Sequence, residues 1–96
     1  MLSLGDLEIY PESYKVVVED RQSDLSEREM KLLLFFYEHK GKVLSRKELL
    51  EICDSEDERI IDTYVSKLRR KIEPNRSEPI YIETVKRVGY RFRALS

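Results

Sequence analysis

Ninety-six residues, 41% apolar and 39% charged, suit one globular domain with a heavily charged surface and leave no room for a second core. The only cysteine, Cys53, excludes an intramolecular disulfide. The longest apolar run, Leu32 to Tyr37, is far too short to span a bilayer, and the first residues show no signal-peptide pattern. The expectation is a reduced, cytoplasmic chain with no membrane partner.

From the N-terminus, Leu4, Leu7 and Ile9 precede Pro11, and Val16 and Val18 flank Val17. Gly5-Asp6 and Pro11-Glu12-Ser13 supply turn signals. This alternation over residues 1–25 predicts two to four short antiparallel strands. Three helices follow across 26–73, each announced by a serine with a glutamate three residues on: Ser26 with Glu29, Ser45 with Glu48, Ser55 with Glu58. In such a capping box the hydroxyl accepts from an early backbone N–H and the carboxylate reaches back. The first helix should run from Ser26 to His39 and stop at Gly41 in a left-handed cap, burying Met30, Leu33 and Tyr37 with Phe36 beside them. The second, from Ser45 to about Ile52, turns Leu49 and Leu50 inward. The third, from about Glu56 to Ile72, ends at Pro74-Asn75. A separation of only about Cys53 to Ser55 forces the last two axes to cross sharply, as in a helix-turn-helix. A hairpin closes the chain over 80–93: Ile80 to Val85, a turn across Lys86 to Gly89, then Tyr90 to Arg93. Val85, Tyr90 and Phe92 should pack on the core, and Gly89 is expected to supply a positive φ. A hairpin directly after such a helix pair is a wing.

The near-zero net charge of −1 conceals a segregation. Residues 1–25 hold six acids against Lys15 and Arg21, and residues 51–58 hold five acids and no base. Residues 59–71 carry Arg59, Lys67, Arg69, Arg70 and Lys71 against Asp62 alone, and residues 86–93 carry Lys86, Arg87, Arg91 and Arg93 without an acid. A dipolar molecule can bind a polyanion through one face. On the third helix, Ile61, Val65, Leu68 and Ile72 form one apolar stripe. Opposite them lie Arg59, Thr63, Ser66, Lys67 and Arg70, the residue types a helix uses in the major groove. Asp62 falls to one flank, near Arg69, where it organises basic groups. An ordinary solvated face is usually polar too, but it mixes Glu with Lys; this one is basic.

Catalysis finds little material. His39 sits at a helix end, where it caps the last carbonyls, and Cys53 has acidic neighbours that disfavour a thiolate, suiting a core or turn residue. No phosphate-binding glycine loop and no metal-ligand spacing occur; the acids from Asp54 to Glu58 lack the glycine of a calcium loop. Neither an enzyme nor a cofactor is expected. Leu34 and Phe35, beside the core stripe, could serve a protein partner if the domain were an interaction module instead; cover by the N-terminal sheet is the plainer expectation.

The stretch DERIIDTYVSKLRRKIEP, followed by YIETVKRVGYRF, resembles the effector domains of the OmpR/PhoB response regulators. LSEREMKLLLFF and GKVLSRKELLE are similar to the same family's first two helices and the short strand between them, so the resemblance covers essentially all of residues 1–96. It implies an α+β winged helix-turn-helix: a four-stranded antiparallel sheet, three helices and a C-terminal hairpin wing. It implies double-stranded DNA as partner, with the third helix in the major groove and the hairpin tip in the adjacent minor groove. Arg59, Thr63, Tyr64, Ser66 and Lys67 match recognition-helix contact positions, Arg46 a phosphate-contacting position, and Thr84 and Lys86 positions in the wing. Arg70 joins them from the basic face and Arg87 from the hairpin tip. Where the family commonly has Arg-Gly in the wing, this chain has Lys86-Arg87. The loop between the second and third helices is shorter than in many members and acidic, which bears on the contact with RNA polymerase made there in the family. The same resemblance implies a second copy on tandem half-sites and a receiver domain preceding this chain.

Overall fold

A computed structural model describes residues 1–55 and 57–93. Strands β1 (Leu2–Leu4), β2 (Leu7–Tyr10), β3 (Lys15–Val18) and β4 (Arg21–Asp24) form an antiparallel meander in chain order. Leu7 faces Val18 and Ile9 faces Val16, so the alternation read from the sequence puts Leu4, Leu7, Ile9, Val16 and Val18 on one buried face. The β3–β4 connection holds Glu19 and Asp20 at φ 49° and 65°. Two successive left-handed residues make a tight turn whose twist matches that of the strands.

Helix α1 (Glu27–Glu38) begins with the expected capping box: Ser26 Oγ accepts from Glu29 N–H and Glu29 Oε1 accepts from Ser26 N–H. Met30, Leu32, Leu33 and Phe36 are buried, and Tyr37 is half-buried with its hydroxyl donating to the Ser3 carbonyl. At the other end, His39 Nδ1 lies 2.9 Å from the Phe35 carbonyl oxygen, so the proton resides on that nitrogen and caps the helix. Gly41 follows at φ 86°, the left-handed residue expected there.

Strand β5 (Val43–Ser45) leads into α2 (Arg46–Ile52), and α3 (Arg59–Ile72) follows. Ser45 Oγ accepts from Glu48 N–H, but Glu48 answers through the Ser45 hydroxyl rather than its backbone N–H, so only half of the second box forms. The third does not form. Ser55 Oγ accepts from Asp57 N–H, Asp57 Oδ1 accepts from Arg59 N–H, and α3 opens at Arg59 with Glu58 giving no side-chain cap. The expected start at Glu56 lies outside the described residues, and Asp57 and Glu58 are not helical. The connection between α2 and α3 is therefore Cys53 to Glu58, longer than the Cys53-to-Ser55 turn read from the sequence. A competing Ser-Asp turn used the same residue types that signal a cap.

Ile61, Val65, Leu68 and Ile72 are buried, as their spacing required. The wing is β6 (Ile82–Val85) and β7 (Gly89–Phe92); β5 adds to its inner edge, giving a three-stranded sheet in the order β5-β7-β6. Tyr90 and Phe92 join the core, and Val85 is half-buried. Cys53 is a core residue whose thiol burial pushes up, with Asp54 adding and Arg28 opposing.

Two further expectations fail. Gly89 does not occupy positive φ; Arg87 does, at φ 68°. Gly89 is needed for space instead, because a Cβ there would meet the Leu44 carbonyl oxygen at 2.0 Å. Leu34 and Phe35 are half-buried and line a groove with Ile52, Glu51 and Asp54 of the α2 side, not a surface beneath the N-terminal sheet.

Candidate nucleic-acid interface

The apolar stripe of α3 fixes which residues face outward. Thr63, Ser66, Lys67 and Arg70 are exposed and line one shallow groove of the surface. Asp62 borders that groove from its flank, as read from the sequence, but its partner is corrected. Arg46 Nε donates to Asp62 Oδ1 at 2.9 Å from the first residue of α2, and the Tyr90 hydroxyl donates to the same oxygen from β7. Arg69 turns away, donating through Nη2 to the Ile82 carbonyl at 2.7 Å and to Thr84 Oγ1 at 2.8 Å. The guanidinium groups of Arg46 and Arg69 lie 5.2 and 5.5 Å from the centre of the Tyr90 ring. Burial and the bond to Asp62 both push the Tyr90 phenol up, so it stays a donor.

Arg59 sits at the first turn of α3 and is almost fully exposed, with two nitrogens on Asp57 at 3.0 and 3.1 Å. The Arg59 side chain in turn holds the Asp57 carboxyl below its ordinary range. Such an exposed pair opens at little cost, so Arg59 stays available to an anion. Tyr64 is half-buried; its hydroxyl accepts from Arg28 Nη1 at 3.1 Å, and Lys67 Nζ lies 5.6 Å from the ring centre. Arg28, from the start of α1, extends the basic face and was not legible in the sequence, since nothing local marks a contact 36 residues away.

The wing tip presents Lys86 and Arg87, both exposed. Val88 N–H donates to the Val85 carbonyl at 3.0 Å, closing a turn whose third residue is the left-handed Arg87. That position favours glycine, and the chain keeps the turn with arginine there. Thr84 is exposed on β6, held by Arg69. The hairpin is anchored to the end of α3 by Glu73, another residue without a sequence signal. Its buried carboxylate accepts from Ile80 N–H at 2.8 Å, Tyr81 N–H at 3.1 Å and Ile82 N–H at 2.9 Å.

Thus Arg46, Thr63, Lys67 and Arg70 gather on or beside one face, Arg59 and Tyr64 border it along α3, and Thr84, Lys86 and Arg87 belong to the wing. Among the described residues no group of three side chains could hold a metal, and no helix is long and apolar enough to cross a membrane.

The family described as "Transcriptional regulatory protein, C terminal" matches residues 20–92. The chain is 41% identical over 92 residues to the alkaline phosphatase synthesis transcriptional regulatory protein PhoP of Bacillus subtilis (strain 168), covering 92% of this chain and 38% of that one. It is 42% identical over 95 residues to the corresponding SphR of Synechococcus elongatus, covering 95% and 37%. It therefore spans less than two-fifths of the length of these relatives. Among solved structures, the response regulator DrrB, an OmpR/PhoB homologue from Thermotoga maritima, superimposes with a TM-score of 0.83 at 36% identity, over 96% of this chain and 43% of that one. The Klebsiella pneumoniae RstA DNA-binding domain, solved with its RstA box, gives a TM-score of 0.81 at 30% identity, over 97% and 96%. The chain belongs to the family of transcriptional regulatory protein C-terminal domains, and within it is a winged-helix effector domain of the OmpR/PhoB type.

Proposed function

We propose that this chain binds double-stranded DNA sequence-specifically, as the output domain of a two-component transcriptional response regulator. One observation carries the reading: in a protein of net charge −1, Thr63, Ser66, Lys67 and Arg70 form one exposed face of a helix whose opposite stripe is buried. Family membership agrees with it, and RstA and AdeR DNA-binding domains of similar fold have been solved with DNA.

In this reading α3 enters the major groove, where Lys67 and Thr63 read base edges beside the small Ser66. Arg59, Tyr64 and Arg70 lie nearer the backbone, Arg46 and Thr84 meet phosphates, and Lys86 and Arg87 reach the minor groove, whose negative potential favours rigidly held cations. A domain this small makes few base contacts, so two copies bind tandem half-sites about 10 bp apart. A receiver domain precedes this segment in the whole protein, RNA polymerase is a further partner, and the work is done in the cytoplasm without catalysis or cofactor. The half-buried groove at Leu34, Phe35 and Ile52 favours a protein partner on that second surface.

The test is selection of a preferred duplex from a random pool, followed by titration of wild type and Lys67→Ala. The substitution should cost about 1–3 kcal/mol and relax preference at one base position. An equal loss on every sequence would make Lys67 a phosphate contact. Retention that ignores salt would overturn DNA binding itself.

A further inference from the structure

An acid among the cations of a DNA-facing groove should weaken binding by repelling phosphate. Asp62 nevertheless stands at the edge of it, its side chain 49% exposed. Its carboxylate is not idle. One oxygen takes Arg46 Nε at 2.9 Å and the Tyr90 hydroxyl, joining residues from α2, α3 and β7. The ion pair uses Nε of Arg46. The guanidinium is thereby anchored through Nε, and the Tyr90 ring lies beside it. A long arginine left free must be ordered on binding, which weakens the complex. A carboxylate that fixes it beforehand removes much of that cost, as an outer-shell carboxylate orients a metal-binding histidine.

We propose that Asp62 is a positioning residue for DNA binding: it presets Arg46 as a phosphate clamp and, through Tyr90, ties that clamp to the wing. The proposal rests on the reading that this face meets DNA, with Arg46 at the backbone. The role assigned to Asp62 is to hold these two donors on Oδ1, not to read a base.

The experiment is a double-mutant cycle of Asp62→Asn and Arg46→Ala, measured by binding to the selected duplex at one salt concentration. In the wild-type background D62N should weaken binding about three- to tenfold, although it deletes a negative charge facing the phosphates. In the Arg46→Ala background the same change should leave affinity equal or raise it, because only the repulsion remains to be removed. Strengthening by D62N in both backgrounds would overturn the proposal, and so would equal weakening in both. Asp62→Glu should recover part of the loss, and Tyr90→Phe should weaken binding with Arg46 present; failure of either would argue against the shared network. Thermal melts of every variant separate loss of fold from loss of positioning. A second readout needs no DNA: hydrogen exchange at Arg46 Nε–H should be slow in wild type and several-fold faster in D62N. If wild type ignored DNA, the proposed function would fall while this exchange still decided whether Asp62 holds Arg46. Equal exchange in the two proteins would sink the positioning role.

Discussion

Replacing Gly89 by alanine tests how the wing joins the core. The added Cβ would stand 2.0 Å from the Leu44 carbonyl oxygen and 3.0 Å from Leu44 C and Ser45 Cα. Ordinary C···O contact begins near 3.3 Å, so β5 must retreat by roughly 1.3 Å. Every atom struck belongs to backbone, and no side-chain rotation relieves it. Leu44 is fully buried and pairs with Tyr90, while Ser45 pairs with Gly89 and caps α2. Overpacking costs about 1–3 kcal/mol, and the disturbed ladder and cap add about 1 kcal/mol each. The expected loss is about 3–5 kcal/mol, or more than about 12 °C in Tm for a domain of this size. Urea unfolding followed by circular dichroism measures it. Gly89→Asn distinguishes the steric argument from a backbone one: asparagine tolerates left-handed φ, so it would be the milder change if conformation were at issue. Here it should be at least as damaging as alanine. Either variant within about 0.5 kcal/mol of wild type would refute the reasoning.

Arg87→Gly should relieve the left-handed strain at φ 68° and raise stability by up to about 1 kcal/mol, while lowering the salt slope of DNA binding by about one if Arg87 meets a phosphate; a less stable variant would contradict the strain. Burial pushes the Glu29 carboxyl up, but Ser26 N–H and Lys71 Nζ outweigh it and leave it below its ordinary 4.5. A lowered folded value stabilises fully above 4.5 and is lost as pH falls through it, so the advantage of wild type over Glu29→Gln should narrow below that pH; an unchanged gap down to about pH 3 would refute the assignment. Replacing Lys86 and Arg87 together by alanine should flatten the plot of log K against log salt by about one per lost phosphate-proximal charge, with the fold intact; parallel lines of equal affinity would remove the wing from the interface. Inserting about half a helical turn between half-sites should abolish cooperative binding and spare single-site binding, and undiminished cooperativity would exclude the tandem arrangement.

What the sequence made legible was periodic or local. The 3.6-residue stripe of α3 and the alternation of β2 and β3 each repeat enough to identify a buried face, and the Ser26–Glu29 box spans only four residues. Ser55 with Glu58 shows the limit of that signal. A serine ahead of a glutamate also suits a Ser-Asp turn, and here Asp57 took the backbone N–H that a longer helix would have used. Gly89 shows a second limit: glycine in a hairpin serves either a left-handed residue or a close approach, and only the neighbouring strand β5 decides. The cross-element pairs were illegible for a different reason. Arg46 and Asp62 are 16 residues apart, Arg69 and Thr84 are 15, and no spacing rule marks them. Asp62 was accordingly matched with its helical neighbour rather than with its true partner.

These pairs explain how a hairpin of two four-residue strands can be presented rigidly. Such a hairpin is marginal on its own, and its apolar contribution to the core comes mainly from Ile82 and Phe92 at its base and Tyr90 nearer the tip. Polar groups distributed along α3 do the remaining positioning. Asp62 at the first turn takes the Tyr90 hydroxyl, Arg69 in the last turn holds Ile82 and Thr84, and Glu73 just beyond it takes three successive N–H groups of the entering strand. Helix α3 therefore holds the wing at both of its ends, and tilting one requires breaking charge-assisted hydrogen bonds worth about 1.5–3 kcal/mol each. In the proposed reading, Lys67 on the helix and Lys86 at the tip consequently approach a duplex as parts of one body. The ordering cost of bringing two separate cations to two grooves is met during folding rather than at binding. In the proposed reading, such a frame lets a protein of net charge −1 hold a polyanion with few contacts, because its cations are positioned before the duplex arrives.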